Sequence, residues 1–377
     1  MSESAEKMMV ELDSDFIPIS LMKDILLSMI TMRPRRSVFM WGKPGIGKTS
    51  IVYQVGKELN YDVYELRLGY HDPVDLRGIP VPIIKMKDGT EVYLQQTTSV
   101  NKDDVLCGVT KWFIPDFLSF SDKPTILFLD EMNQADRATQ KVAQQLVLDH
   151  RLGDYKLPEN VVVVAAGNSE EDRAFVQRMA SPTLNRFFHY SVAADVDGWI
   201  DWAIMNDIHP IIIAFIKFKP DYLMQFDPKS NNKAFPTPRT WEFVSDVLKN
   251  RMSIGLFQTI VAAVGKGAAI AFKAFMDLYN DIPDINAIFS DPVNTHIPDN
   301  PSVRFSLCIL LARKATYKNL AAIKSYTVRM GREYCAYTVR YIQDLNIALR
   351  ETPEFVAWGV EYSELFVDER SLKKKKK

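Results

Sequence analysis

The sequence predicts an α/β protein in which a parallel sheet is covered by helices on both faces and followed by an all-helical region. Three observations predict it. From about residue 17 to residue 192, short β-branched or aromatic runs alternate with helical patterns, the order that βαβ units produce. Their apolar continuity, clearest in TILFLD and NVVVVAA, suits strands buried on both faces. After Val192 the strand signals stop, while apolar residues continue at helical spacing. With 377 residues, 47% of them hydrophobic, the chain is long enough for two or three domains with a sizeable core.

The five strand candidates are Ser37 to Trp41, Val63 to Leu68, Thr125 to Asp130, Asn160 to Ala166 and Phe187 to Val192. Between the second and third, IPVPIIKMK and EVYLQ flank Asp88-Gly89, a dipeptide that tolerates positive φ, so Ile79 to Gln95 is expected to be an inserted hairpin. HRLGDYKLPENV predicts another hairpin before the fourth strand, turning at Gly153-Asp154. Beyond Val192, DGWIDWAIMNDIHPIIIAFIKF, TPRTWEFVSDVLKNRM and GLFQTIVAAVGKGAAIAFKAFMDLYN read as helices, broken at His209-Pro210 and by Pro236 and Pro238. Asp281 to Pro301 holds Pro283, Pro292, Pro298 and Pro301 and reads as a linker or an irregular crossing loop; helical patterns then resume to about Val367.

Composition removes several function classes. No apolar run approaches the roughly 18 residues that span a bilayer, so membrane insertion is not expected. The acidic start MSESAEKMMVELDSD lacks a secretory pattern and the three cysteines (Cys107, Cys308, Cys335) lie far apart, which predicts a reducing, cytoplasmic location. Lysine and arginine number 46 against 47 acidic residues, and removing the five charges of Lys373 to Lys377 from the net of −1 leaves −6 for the rest. A basic nucleic-acid footprint is thus confined to that terminal run, which leaves a nucleic-acid-associated motor or loader as the rival reading rather than the first.

The chemistry concentrates in three places. Residues 42–49, GKPGIGKT, fit G-x-x-x-x-G-K-[ST], follow the strand SVFMW and open the helix TSIVYQVGKEL. Gly42, Gly45 and Gly47 let the backbone of Lys43, Pro44 and Ile46 curl so that N–H groups face phosphate oxygens, with Ser50 in the helix's first turn. Lys48 then neutralises the β and γ phosphates of ATP, and Thr49 offers its hydroxyl to Mg2+. TILFLDE places Asp130 and Glu131 at the carboxyl edge of the sheet, Asp130 for the metal or its water and Glu131 to orient or deprotonate the attacking water. VVVVAAGN ends in Asn168, which reads either as a γ-phosphate and water contact or as the N-cap of a following helix. Arg186 before the last strand and Arg239 in PTPRTW suit bidentate phosphate contacts, although an arginine in either place alone is more often a surface ion-pair partner.

These residues resemble the AAA+ ATPases, more narrowly the MoxR-like branch of bacteria and their phages. The resemblance covers about residues 17 to 280 and rests on GKPGIGKT, DPVDLRGIPVP, LFLDEMNQAD, QQLVLDHRLGDYKLPENVVVVAAGN, DRAFVQRMASPTLNRF and FPTPRTW. It implies an αβα wedge with a five-stranded parallel sheet over residues 1–194 and a helical lid over 195–280; the C-terminal helical region over 281–377 matches it only weakly. It implies Lys48 and Thr49 as Walker A contacts, Asp130 and Glu131 as Walker B carboxylates, and Asn168 as sensor 1. Arg239 matches sensor 2, and Arg186, with Arg178 as second choice, matches the arginine finger that completes a neighbouring subunit's site. A ring of copies, commonly a hexamer, is implied, acting as an ATP-driven chaperone or maturation motor on a protein client. Such ATPases frequently work with a von Willebrand factor A domain protein; its Asp-x-Ser-x-Ser motif is absent here, so that partner would be a separate chain.

Overall fold

The computed structural model describes residues 16–93, 105–153, 155–169, 179, 184–230, 232–278 and 281–362. Among them the chain forms two compact units, one over Leu21–Ala193 and the other over 16–20 with 194–362. The run Lys373 to Lys377, Arg178, Asp154 and the end of the expected hairpin at Gln95 lie outside the described residues.

In the first unit the five expected strands are β2 (Ser37–Trp41), β3 (Asp62–Arg67), β7 (Thr125–Asp130), β10 (Val161–Gly167) and β11 (Phe187–Ala193). They form an all-parallel sheet in the order β11-β2-β10-β7-β3; a two-residue strand β1 (Ile17–Pro18) belongs to the other unit's segment 16–20. Central strands β7 and β10 are buried at every residue, which is why their sequences read as unbroken apolar runs. The chain leaves β2 toward β3 on one side and leaves β10 toward β11 on the other. The crevice outside the carboxyl ends of these neighbouring strands is therefore a topological switch point, where such sheets bind ligands.

Helix α1 (Ile19–Thr31) precedes β2, and α2 (Lys48–Leu59) follows it. α2 ends where Asn60 turns left-handed at φ 56° and its N–H returns to the helix's last carbonyls. Gly56 lets α2 lie against β3, because a Cβ there would stand 2.4 Å from Val63 Cγ2. After β3 the chain passes through α3 (Pro73–Arg77), opened by a capping box between Asp72 and Asp75.

The insert is larger than the expected hairpin. It is a three-stranded antiparallel sheet of β4 (Ile79–Met86), β5 (Glu91–Tyr93) and β6 (Val105–Phe113), in the order β5-β4-β6. Ile79 pairs with Phe113, so the chain enters and leaves the insert at one place. Gly78 permits that closure: it sits at φ 80°, and a Cβ on it would fall 1.8 Å from the Phe113 carbonyl. After β7, α4 (Arg137–Asp149) leads into the second hairpin, reduced to β8 (Arg151–Leu152) and β9 (Tyr155–Lys156) around Gly153 at φ 58°.

The second unit is helical: α5 (Val196–Met205), α6 (Pro210–Phe218), α7 (Pro238–Lys249), α8 (Leu256–Val264), α9 (Lys266–Leu278), α10 (Ile285–Ser290), α11 (Pro301–Arg313), α12 (Leu320–Met330), α13 (Arg332–Leu345), α14 (Ile347–Arg350) and α15 (Pro353–Glu361). One buried apolar cluster runs through it from Trp199 to Tyr362. Trp241 of α7 is fully enclosed between Phe215 and Phe272, both at 5.3 Å, and its indole N–H donates to the Tyr222 carbonyl at 2.7 Å. Asp281 to Pro301, expected to be irregular, contains α10. Carbonyls outside that helix accept from side chains, Arg329 donating to Pro292 and Thr295 and Tyr326 donating to His296. Among the described residues no helix is long and apolar enough to cross a membrane.

Candidate nucleotide site

Buried strand β2 delivers the chain to the switch point, where Gly42 N–H donates to the Gly167 carbonyl of β10 at 3.3 Å. Gly45 at φ 78° and Gly47 at φ 105° then turn the loop in conformations that side chains resist. Gly42 is required on other grounds, since a Cβ would stand 2.8 Å from the Val192 carbonyl. The turn closes onto the N-terminus of α2, whose first N–H groups have no intrahelical acceptor. Lys48, the first residue of α2, is only 8% exposed. Its ammonium donates to the Gly42 carbonyl at 2.6 Å, the Lys43 carbonyl at 3.1 Å and Asn168 Oδ1 at 3.2 Å. A buried positive charge needs such acceptors, and phosphate oxygens are stronger ones.

Asp130 ends β7 beside this loop. Its Oδ2 accepts from the Thr49 hydroxyl at 2.9 Å and its Oδ1 from the Glu131 N–H at 2.9 Å. Hydroxyl and carboxylate together form the hard-oxygen pair that Mg2+ takes from a protein while keeping waters and phosphate oxygens for its other positions. Among the described residues no group of three His, Cys, Asp or Glu side chains could hold a metal by itself. Glu131 departs from the strand in the left-handed region at φ 53°, a conformation unusual outside glycine, and its carbonyl accepts from Gln134 N–H at 2.8 Å. The side chain lies toward Gly69, whose hypothetical Cβ would be 3.8 Å from Glu131 Oε2. Arg67, the register partner of Asp130 on β3, bonds Glu65 at 2.6 Å. That bond, with smaller help from Asp130 and Glu131, raises the guanidinium's pKa.

Asn168 is buried at the end of β10, where its side chain accepts from Lys48. Its main chain is held by a residue that sequence reasoning passed over. Asn133, wholly buried, donates through Nδ2 to the Asn168 carbonyl at 2.7 Å and accepts from Asn168 N–H at 3.2 Å. The available signal was a carboxamide two residues after Glu131, in a segment otherwise explained by turn and cap.

Comparison with known proteins agrees with this geometry. Residues 38–189 match the model of the ATPase family associated with various cellular activities (AAA). This part of the chain is similar to that family and has its α/β fold. No curated protein matches the sequence. Among solved structures, the Holliday junction branch migration motor RuvB of Thermotoga maritima is 13% identical with a TM-score of 0.34, over 73% of this chain and 75% of that one. A candidate ATPase of Cytophaga hutchinsonii is 13% identical with a TM-score of 0.33, over 94% of this chain and 84% of that one.

The parallel sheet brings Lys48, Thr49, Asp130, Glu131 and Asn168 to one point. Arg186 is outside this hydrogen-bonded group: it is exposed just before β11, its N–H bonded to the Leu184 carbonyl at 2.7 Å. Arg178 lies outside the described residues. Arg239 belongs to the other unit, exposed in the first turn of α7.

Proposed function

We propose that the protein is an ATP-hydrolysing motor of the MoxR-like type, working as a ring of copies and coupling hydrolysis at subunit interfaces to the remodelling or maturation of partner proteins. The observation that carries this reading is the convergence of Lys48, Thr49, Asp130 and Asn168 through direct hydrogen bonds around the glycine-rich turn.

Phosphoryl transfer to water depends mainly on positioning and charge stabilisation. The turn's N–H groups and the α2 N-terminus receive the phosphate chain, and Lys48 exchanges its carbonyl acceptors for β- and γ-phosphate oxygens. Thr49 and Asp130 would hold Mg2+, which would supply neutralisation of the phosphate charge that develops. Glu131 accepts a proton from the attacking water as the new O–P bond forms and the bond from γ-phosphorus to the bridging oxygen breaks, leaving ADP and phosphate. Asn168 contacts the γ-phosphate and that water. Arg186, or Arg178 in its place, reaches the site of a neighbouring copy, and Arg239 relays nucleotide state to a lid formed by residues 195–280. A separate protein partner, such as a von Willebrand factor A domain protein, supplies the client side.

Glu131→Gln tests the reading, because it removes the proton acceptor while keeping size and hydrogen bonding. Turnover measured by phosphate release should fall by at least about 100-fold, the usual size of a general-base contribution. ATP affinity by calorimetry should change less than about threefold, as for a group acting only in the transition state. Turnover equal to that of the wild type would remove Glu131 from the mechanism.

A further inference from the structure

We infer that Asn133 is a positioning residue that joins the turn carrying Glu131 to Asn168, so that the two groups directed at the γ-phosphate side of the site hold one fixed spacing. The inference rests on the hydrolysis reading above and adds a residue to it.

The side chain of Asn133 acts as a strand would. It donates to the Asn168 carbonyl and accepts from the Asn168 N–H, which gives β10 one more rung beyond its last ladder position at Gly167. Only one orientation of the amide makes both bonds, since the flipped group would set donor against donor and oxygen against oxygen. The turn is tied to β10 again one residue earlier, where Met132 N–H donates to the Ala166 carbonyl at 3.0 Å. Gly167 between the two ties has no room for a side chain: a Cβ would be 2.5 Å from Asn133 Oδ1 and 2.9 Å from its Cγ. The Gly167 carbonyl is in turn the acceptor for Gly42 N–H, so the phosphate turn joins the same junction.

Glu131 is held at its other side by Asp130 Oδ1 and Gln134 N–H, in a left-handed conformation that costs free energy unless its surroundings enforce it. Asn133 is wholly buried, so either of its polar atoms, if unpaired, would carry the full desolvation cost. Both conditions favour one geometry over a range of geometries. Functional groups keep their catalytic spacing only when neighbouring residues lock them, and Asn133 is the side chain that does so here.

The test uses the whole 377-residue chain and four variants. Asn133→Ala should lower kcat by about tenfold or more, while ATP affinity by calorimetry stays within about threefold, as expected where only the transition state loses support. Because Asn133 acts through Asn168, adding Asn133→Ala to Asn168→Ala should cost less than about twofold further, the non-additivity of residues in one network. A kcat within about twofold of wild type, or costs that add in full, overturns the inference; a purely structural Asn133 would lower affinity and melting temperature together and add in full. Should Asn133→Ala not fold, Asn133→Asp carries the same test. Protonated, its carboxyl keeps one donor and one acceptor; ionised, it opposes the Asn168 carbonyl. Turnover that falls with rising pH relative to wild type supports the inference, and parallel profiles overturn it. The two readings fail separately: an active wild type with an equally fast Asn133→Ala removes this inference alone, whereas an inert wild type removes the hydrolysis reading and this one with it.

Discussion

Lys48 combines two properties that rarely coexist, near-complete burial and a full positive charge. Three oxygens make that tolerable, and two of them are carbonyls of the very turn that is to hold phosphate. Lys48→Ala removes the charge that draws the triphosphate in and leaves those carbonyls facing it unscreened. ATP affinity should fall at least about 100-fold, a loss of about 3 kcal/mol, in the range for a charged hydrogen-bond partner. Calorimetry with unchanged affinity would contradict the assignment. At this scale the motif residues were legible, because GKPGIGKT and LFLDE carry fixed spacings within a few positions. Asn133 was not, since its work depends on a partner 35 residues away, brought beside it only when β7 and β10 pair.

Among the elements, complete burial made a strand most legible. β7 and β10 are enclosed on both faces and announce themselves as apolar runs. β6, with the sequence VLCGVTKWF, is exposed or half-exposed at every residue, so no buried face imposes the alternation from which a strand is read. Short α10 was hidden among prolines for the related reason that six residues are too few to show a period. Helix α6 offers a test of packing. Its N-cap His209 accepts from Ile211 N–H, and burial, aided by Arg313 and Lys249 against Asp207, lowers its pKa to about 4. Above the unfolded-state value of about 6.5 both states are neutral and His209 adds no pH dependence. As pH falls toward 4 the unfolded chain takes up a proton that the folded one refuses, and stability is lost across that window. Urea denaturation at pH 7 and pH 4 should show the wild type losing about 3 kcal/mol more than His209→Asn, which retains a capping acceptor without the titration. Equal losses would show that His209 is not the group responsible.

At the scale of the whole molecule, the proposed assembly rests on what one copy leaves outside its own hydrogen-bonded site. Arg186 is exposed, whereas Lys48, Asp130 and Asn168 are buried. If Arg186 completes a neighbour's site, Arg186→Ala and Lys48→Ala copies are each inactive alone but complementary when mixed. Random assortment at equal amounts leaves about a quarter of the interfaces intact in a head-to-tail ring. Phosphate release from the mixture should recover in that proportion; a mixture as inactive as either variant would place the finger elsewhere, Arg178 being the next to exchange.

The pairing of Ile79 with Phe113 has a consequence for how this architecture can vary. The excursion between them leaves and rejoins the rest of the first unit through adjacent strands, so its stem is one residue pair wide, about 5 Å between the paired Cα atoms. Such a head is interchangeable: it can be lengthened, shortened or transplanted, and the path from β3 to β7 still closes across the same gap.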